Sequence, residues 1–423
     1  MSIPSWAERA RDTPTAPALI SATRTWTCAE VAAEVATRRP HDELVAISGA
    51  CSVEALLDLI AAIDAGTPAL MLHPRWTTRE SDAIEARARS APRGTLAIVA
   101  TSGTTGVPKL ALLSRRAFVA AAHASGAHLG TRADDRWLLS MTLAHVGGLG
   151  VVVRSLVQRT PIVVNETEHA SIAIARAAQV THVSLVPTML ARLLDRLEPF
   201  PESIRVALLG GAACPERVLA RAIAARVPIH PTYGLTETCG QVATTRSPVT
   251  NVDDARALEP LPGVVLRVEN GTIRVRSEAA MDGWLDAPSP FGADGFYDTG
   301  DLGALDDRGR VTIFSRRTDL VVTGGENVYP SEVEAVLERA PGVRAACVFG
   351  VPDDEWGQRV AAAIVVDVHA PSDAEIVAFA RRELAAFKLP RAIARVDALA
   401  VGPSGKLDRR RTAAAAIARL VRS

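Results

Sequence analysis

Residues 182–231 read HVSLVPTMLARLLDRLEPFPESIRVALLGGAACPERVLARAIAARVPIHP. The stretch 182–186 is apolar and of strand length. Over 187–197, Leu190, Leu193, Leu194 and Leu197 recur at helical spacing and share one face. Residues 204–209 are apolar again and end on Gly210-Gly211. The segment 215–225 predicts another helix, with a proline in its first turn. Residues 228–231 begin a further extended piece. This alternation implies an α/β fold with a mostly parallel sheet covered by helices.

Working outward, 96–100 and 161–164 add strands of the same kind. The rhythm changes near Val264. Segments 264–269 and 272–277 flank Asn270-Gly271, the strongest two-residue hairpin signal. Small antiparallel strands, forming a β-barrel-like part, are expected here. A second change comes near Arg316, where a compact α+β module begins. Pro330 opens a helix, and 345–349 and 361–366 read as strands. Ser372-x-x-Glu375 is a capping box before a helix expected to run to Phe387. The tail from Leu407 is helical and basic. The expected division is a large domain over 1–315 and a small mobile one over 316–423, with a hinge at 316–319. No internal repeat or low-complexity linker is visible.

Composition removes several function classes. Lys+Arg and Asp+Glu are both 47 in 423 residues, so the formal net charge is zero. A nucleic-acid or anionic-membrane coat would show as a basic excess. A 48% hydrophobic share is that of a globular chain. The five cysteines, Cys28, Cys51, Cys214, Cys239 and Cys347, form no CxxC pair. That argues against a disulfide framework or zinc site and suits a reducing cytoplasm. Glu8, Arg9, Arg11 and Asp12 stand where a signal peptide would be apolar. No apolar run reaches the roughly 18 residues of a membrane span. Oligomeric state is left open, a homo-oligomer included. Only Lys109, Lys388 and Lys406 are lysine; the other 44 basic residues are arginine.

Five segments carry chemistry. Thr101-Ser102-Gly103-Thr104-Thr105-Gly106-Val107-Pro108-Lys109 follows an apolar strand and is dense in hydroxyl and backbone donors for phosphate. It is not a Walker A loop, because Lys109 lies three residues after Gly106 and precedes Leu110. A flexible polar loop is the plain alternative. In Tyr233-Gly234-Leu235-Thr236-Glu237-Thr238, Glu237 suits Mg²⁺, though an ordinary capped helix start has the same residues. In Tyr297-Asp298-Thr299-Gly300-Asp301-Leu302, Asp301 could accept from ribose hydroxyls, or close an Asp/Gly turn. Arg316-Arg317-Thr318-Asp319, leading to Gly324-Gly325-Glu326-Asn327-Val328-Tyr329, could be a hinge or a loop feeding a helix. Pro403-Ser404-Gly405-Lys406 could swing a lysine into a site, or leave it solvated.

Taken together and in this order, the five resemble the adenylate-forming superfamily of acyl- and aryl-CoA ligases, luciferases and peptide-synthetase adenylation domains. The resemblance spans residues 20–410. Within it, SRRTDLVVTGGENVYPSEVE (315–334), YGLTETCGQV (233–242) and LAHVGGLGVVVRSL (143–156) are most similar to the o-succinylbenzoate–CoA ligases of menaquinone biosynthesis.

The resemblance implies MgATP-dependent activation of a carboxylic acid, then thioester formation with CoA. It implies that Thr101 to Lys109 holds the leaving phosphates, that Thr236 contacts the α-phosphate, and that Glu237 holds Mg²⁺. Gly210, Gly211 and Ala212 would line one side of adenine, with Tyr233 and Gly234 on the other. Asp301 would hold the ribose, with Arg316 nearby. Lys406 would bridge the carboxylate and the α-phosphate. Gly324 and Gly325 would help form the pantetheine channel after the small domain rotates. His145 matches a position near the acyl and thioester site. Arg154 is the candidate partner for a second substrate carboxylate, against the alternative of one surface arginine among many. Thr318 departs from the usual hinge acid. Other aryl- or medium-chain acyl-CoA ligases, carrier-loading adenylation enzymes and non-catalytic nucleotide binders are the competing readings.

Overall fold

The computed structural model describes residues 3, 5–38, 40, 43–92, 94–101, 108–167, 171–196, 198–402 and 407–420. Among these, the largest sheet has nine strands. In spatial order they are Glu259–Pro260, Gly240–Thr244, Ile229–Leu235, Val206–Leu209, His182–Leu185, Trp137–Leu139, Ile162–Val164, Pro17–Ile20 and Thr25–Thr27. The six from Ile229–Leu235 to Pro17–Ile20 run parallel, and antiparallel strands close both ends. The expected βαβ rhythm is therefore the centre of this sheet. A second sheet of five strands places Gly283–Trp284, Lys109–Ser114, Thr95–Thr101, Ala69–Leu72 and Val45–Ser48 side by side.

Helices Arg115–Leu129 and Val146–Gln158 pack together; the first touches strands of both sheets and the second lies against the large one. This sandwich explains why Gly148 to Leu156 is buried at every position, Arg154 and Ser155 included. A helix covered on all sides must be apolar all round, so a charge on it is an exception that needs a reason.

The Asn270-Gly271 turn forms as read. Both residues have positive φ, and strands Val265–Glu269 and Thr272–Arg276 pair across it. With Tyr297–Leu305 and Val311–Arg316 they make an antiparallel sheet. The Leu258–Val311 bridge and a cluster of Val242, Ala243, Ile273, Val275 and Val311 tie that sheet to the edge of the large one.

Beyond Arg316 a three-stranded sheet carries its own core. Val343–Asp353 and Gly357–Val366 are antiparallel, and Ala392–Arg395 joins in parallel. Alternation sorts the side chains onto two faces. Ala346, Val348, Ala362 and Ile364 meet helices Pro330–Leu337 and Asp373–Ala380, while Cys347, Phe349, Ala361 and Ala363 meet helix Arg409–Leu420. Both faces are covered, so the strands read as unbroken apolar runs.

Some boundaries differ from the expectation. The first strand after Gly342 is longer because the hairpin ladder extends to the Asp353–Gly357 pair. The helix from the Ser372 cap ends at Ala380, not Phe387; Leu384 and Leu389 are both buried in the module core and draw the chain back onto it. Pro215 is the cap of helix Glu216–Ala224 rather than part of its first turn. Among the described residues no helix is long and apolar enough to cross a membrane.

Candidate active site

Parallel strands deliver their carboxyl ends to one edge of a sheet, where ligand crevices of open α/β sheets lie. Here Leu139 leads towards His145, Leu209 leads into Gly210, Gly211 and Ala212, and Leu235 leads into a 3₁₀ turn over Thr236–Thr238. Two glycines there answer to close backbone approach. A Cβ on Gly210 would stand 2.6 Å from the Thr232 methyl and 2.8 Å from its carbonyl. A Cβ on Gly234 would run into the Gly240 carbonyl, at a bulge between the paired strands.

The antiparallel sheet supplies two carboxylate sites through register. Asp301 lies opposite Arg316, and Arg316 Nε is 2.7 Å from Asp301 Oδ1. The Tyr233 hydroxyl donates to Asp301 Oδ2 at 2.6 Å. The Asp301 side chain is 5% exposed, and burial raises its pKa although Arg316 and Tyr233 oppose this. Tyr297 donates from its hydroxyl to Glu237 Oε1 at 2.9 Å, leaving Oε2 without that bond. Burial, then the neighbouring carboxylates, push both tyrosine pKa values up, so both phenols remain donors. Tyr297 was quoted in its motif but given no role; its contact with Glu237 spans 60 residues and has no local signal.

Thr101 and Lys109 face each other across the second sheet, so the strands on either side of 102–107 form a hairpin stem. The Lys109 ammonium lies 5.5 Å from the Trp284 ring centroid. Ser102, Gly103, Thr104, Thr105 and Gly106, and Lys406 of the late loop, fall outside the described residues. Gly324 and Gly325 form the turn between strands Val321–Thr323 and Glu326–Val328. At the expected hinge, Thr318 Oγ1 donates to its neighbour Asp319 Oδ1 at 3.4 Å and to no other side chain among the described residues. Asp319 instead pairs with Arg409 at 3.3 Å, and Arg409 also grips Glu334. The pivot is thereby tied to the helix that follows the Lys406 loop.

His145 caps helix Val146–Gln158, with its ring 5.5 Å from that of His73 at the end of a strand of the second sheet. Nine residues on, Arg154 is buried between the large sheet and helix Arg115–Leu129. Its guanidinium carbon lies 4.3 Å from the centroid of Trp137, and Nη1 donates to Gln241 Oε1 at 3.1 Å. Nε has no hydrogen-bond partner, and no ion pair reaches Arg154 among the described residues. Burial pushes its pKa down to about 10, so it is still cationic at neutral pH. It lines a pocket with Phe118, Ala122, Gly150, Cys239 and Gln241. Cys239 directly follows the Thr236–Thr238 turn, which joins this pocket to the carboxylate-bearing edge. Trp137 and Gln241 were not singled out from sequence.

A family model for AMP-binding enzymes matches residues 81–283, and one for the AMP-binding enzyme C-terminal domain matches 332–406. The 2-succinylbenzoate–CoA ligase of Bacillus velezensis is 37% identical over 348 residues, covering 78% of this chain and 71% of that one. The o-succinylbenzoate CoA synthetase of Bacillus subtilis in complex with ATP and magnesium superposes with a TM-score of 0.87 at 29% identity, covering 97% of this chain and 99% of that one. Its complex with the acyl-adenylate intermediate gives 0.86 at 28%, with coverages of 96% and 97%. The chain belongs to the family of AMP-binding, adenylate-forming CoA ligases that contains the 2-succinylbenzoate–CoA ligases.

Proposed function

We propose that this chain is an ATP-dependent 2-succinylbenzoate–CoA ligase. The observation that carries the substrate is Arg154, a buried cation without a carboxylate of its own, opening on the pocket beside Cys239. An isolated buried charge is costly unless something pairs with it. 2-Succinylbenzoate brings two carboxylates, one to react and one on the ring to answer Arg154.

The activated carboxylate forms a bond to the α-phosphorus while the bond to pyrophosphate breaks. CoA thiolate then attacks the acyl carbon and AMP leaves. The first step joins two anions, so the protein contributes mainly position and charge. Asp301, held by Tyr233 and Arg316, accepts from the ribose hydroxyls. Gly210, Gly211 and Ala212 bound the adenine with Tyr233 and Gly234. Thr236 donates to the α-phosphate. Thr101 and Lys109 frame the loop that takes the leaving phosphates, with Ser102, Gly103, Thr104, Thr105 and Gly106 within it. Lys406 bridges the two reacting anions.

Mg²⁺ fits at Glu237, because one carboxylate with an oxygen to spare beside phosphates is its usual protein site. When bound, the metal supplies charge neutralisation on the phosphates. Tyr297 orients Glu237 for that task. His145 stands at the acyl end, and Gly324 and Gly325 serve the pantetheine arm of CoA after 316–423 turns on 1–315 about 316–319. The Asp319–Arg409 pair supports a pivot there despite Thr318.

Pyrophosphate release is to be measured with 2-succinylbenzoate, benzoate, cinnamate and octanoate, with and without CoA. The expected result is the highest kcat/KM for 2-succinylbenzoate, with CoA consumed. A higher value for any acid with one carboxylate would overturn the assignment.

A further inference from the structure

Among the described residues, the side chains around Arg154 are neutral or already paired. Trp137 lies under the guanidinium, and His182 stacks against Trp137 with ring centroids 4.5 Å apart. Burial drives the His182 pKa down to about 3, so this imidazole carries no charge at neutral pH. The acid behind it, Asp135, is spoken for. Its Oδ2 is 2.5 Å from Arg205 Nη2, and its Oδ1 accepts from Thr181 at 3.1 Å and from Arg205 Nε at 3.1 Å.

The remaining neighbour is Gln241. Its Oε1 accepts from Ser125 Oγ at 2.7 Å and from Arg154 Nη1 at 3.1 Å. Its Nε2 donates to Thr244 Oγ1 at 3.0 Å, and that hydroxyl lies 2.6 Å from Thr232 Oγ1. Turned over, the amide would set Nε2 against the Arg154 guanidinium, donor against donor, so Oε1 faces Arg154. Thus the one side chain among the described residues that hydrogen-bonds the guanidinium presents a carbonyl where an isosteric residue would present a carboxylate.

We propose that Gln241 determines which acids the pocket takes. It fixes Arg154 through a neutral oxygen, so the cation's charge stays available and the pocket favours acids that carry a second carboxylate. A glutamate at this position would satisfy Arg154 internally and turn the pocket towards acids without one. The inference rests on the reading of Arg154 as the partner of the substrate's ring carboxylate.

The test compares kcat/KM for 2-succinylbenzoate with that for 4-oxo-4-phenylbutanoate, which lacks only the ring carboxylate. It uses the wild type, Gln241→Glu and Gln241→Met. In Gln241→Glu the Thr244 hydroxyl can rotate to donate, so the network has a partner for each carboxylate oxygen. The expected result is a fall on the order of 10²-fold in the preference for 2-succinylbenzoate, through KM, in Gln241→Glu. Gln241→Met should lose activity on both acids and keep the preference. An unchanged preference in Gln241→Glu overturns the proposal, and so does an equal loss of preference in Gln241→Met, which would make Gln241 a structural support only. Should Gln241→Glu not fold, the preference in Gln241→Met decides alone. A wild type that does not distinguish the two acids would sink the Arg154 reading itself, separately from the role of Gln241.

Discussion

Asp301→Asn separates a ribose acceptor from a structural ion pair. The change keeps the shape of a side chain whose two oxygens are held by Tyr233 and Arg316, and removes its charge. On the protein side the loss is small. The Arg316 side chain is 55% exposed, so water can take over its solvation, and a half-exposed pair is worth about 1 kcal/mol or less. On the ligand side the loss is larger. Hydrogen bonds to a charged acceptor contribute about 1.5–3 kcal/mol against about 0.5–1.5 for neutral pairs. With two ribose hydroxyls the difference comes to roughly 2–3 kcal/mol, which is roughly 30- to 150-fold in affinity. The assay is pyrophosphate release against ATP concentration at saturating acid, with a melting curve of each protein. KM for ATP should rise by about that factor while Tm moves by a few degrees at most. Because burial raises the Asp301 pKa, wild-type affinity for ATP should also weaken with falling pH earlier than for an ordinary carboxylate, and Asp301→Asn should lack that limb. A KM for ATP within about threefold of wild type, with a clear drop in Tm, would refute the reasoning.

Gly234→Ala places a methyl against the Gly240 carbonyl, which is backbone and cannot yield without parting two paired strands; we expect overpacking of about 1–3 kcal/mol, seen as a lower Tm and a higher KM for ATP. Lys406→Ala should lower adenylation by about 10²-fold or more while thioester formation from supplied acyl-adenylate survives, and equal loss of both half-reactions would remove the lysine from its role. Glu338 is pushed up to about 7, chiefly by burial. Its folded pKa exceeds the unfolded value of about 4.3, so the stability it contributes is complete below that value and lost as pH rises through 7. Glu338→Gln should therefore gain Tm relative to wild type between pH 5 and 8, whereas parallel Tm profiles would contradict the shift.

The placement of the segments proposed to hold the nucleotide was legible because they are short and contiguous. Gly210-Gly211 follows a strand, Glu237 sits in its own turn, and Asp301 and Arg316 face each other on adjacent strands. Each needs only the motif and its element to be placed. The partners that tune these groups were not legible, because they arrive from elsewhere in the chain. Tyr233 meets Asp301 across 68 residues, and Gln241 meets Arg154 across 87. The late helix boundary failed for a related reason, since Leu384 and Leu389 answer to a core assembled from distant strands rather than to the helical period.

Charge shows the same limit most sharply. A net charge of zero says that acids and bases balance over the chain, not that each base has an acid. Many arginines here do pair, as Arg205 with Asp135, Arg409 with Glu334 and Asp319, and Arg339 with Glu216. Arg154 lies on a helix packed between the large sheet and helix Arg115–Leu129, and no acid meets it among the described residues. In sequence it is one of 44 arginines, picked out only by its place in the 143–156 stretch, with a surface arginine as the alternative. What singles it out is the combination of burial, a neutral hydrogen-bond partner and an adjoining pocket, and only the folded chain brings those three together. On the proposed reading, substrate choice follows from a buried charge beside a pocket that no carboxylate among the described residues answers.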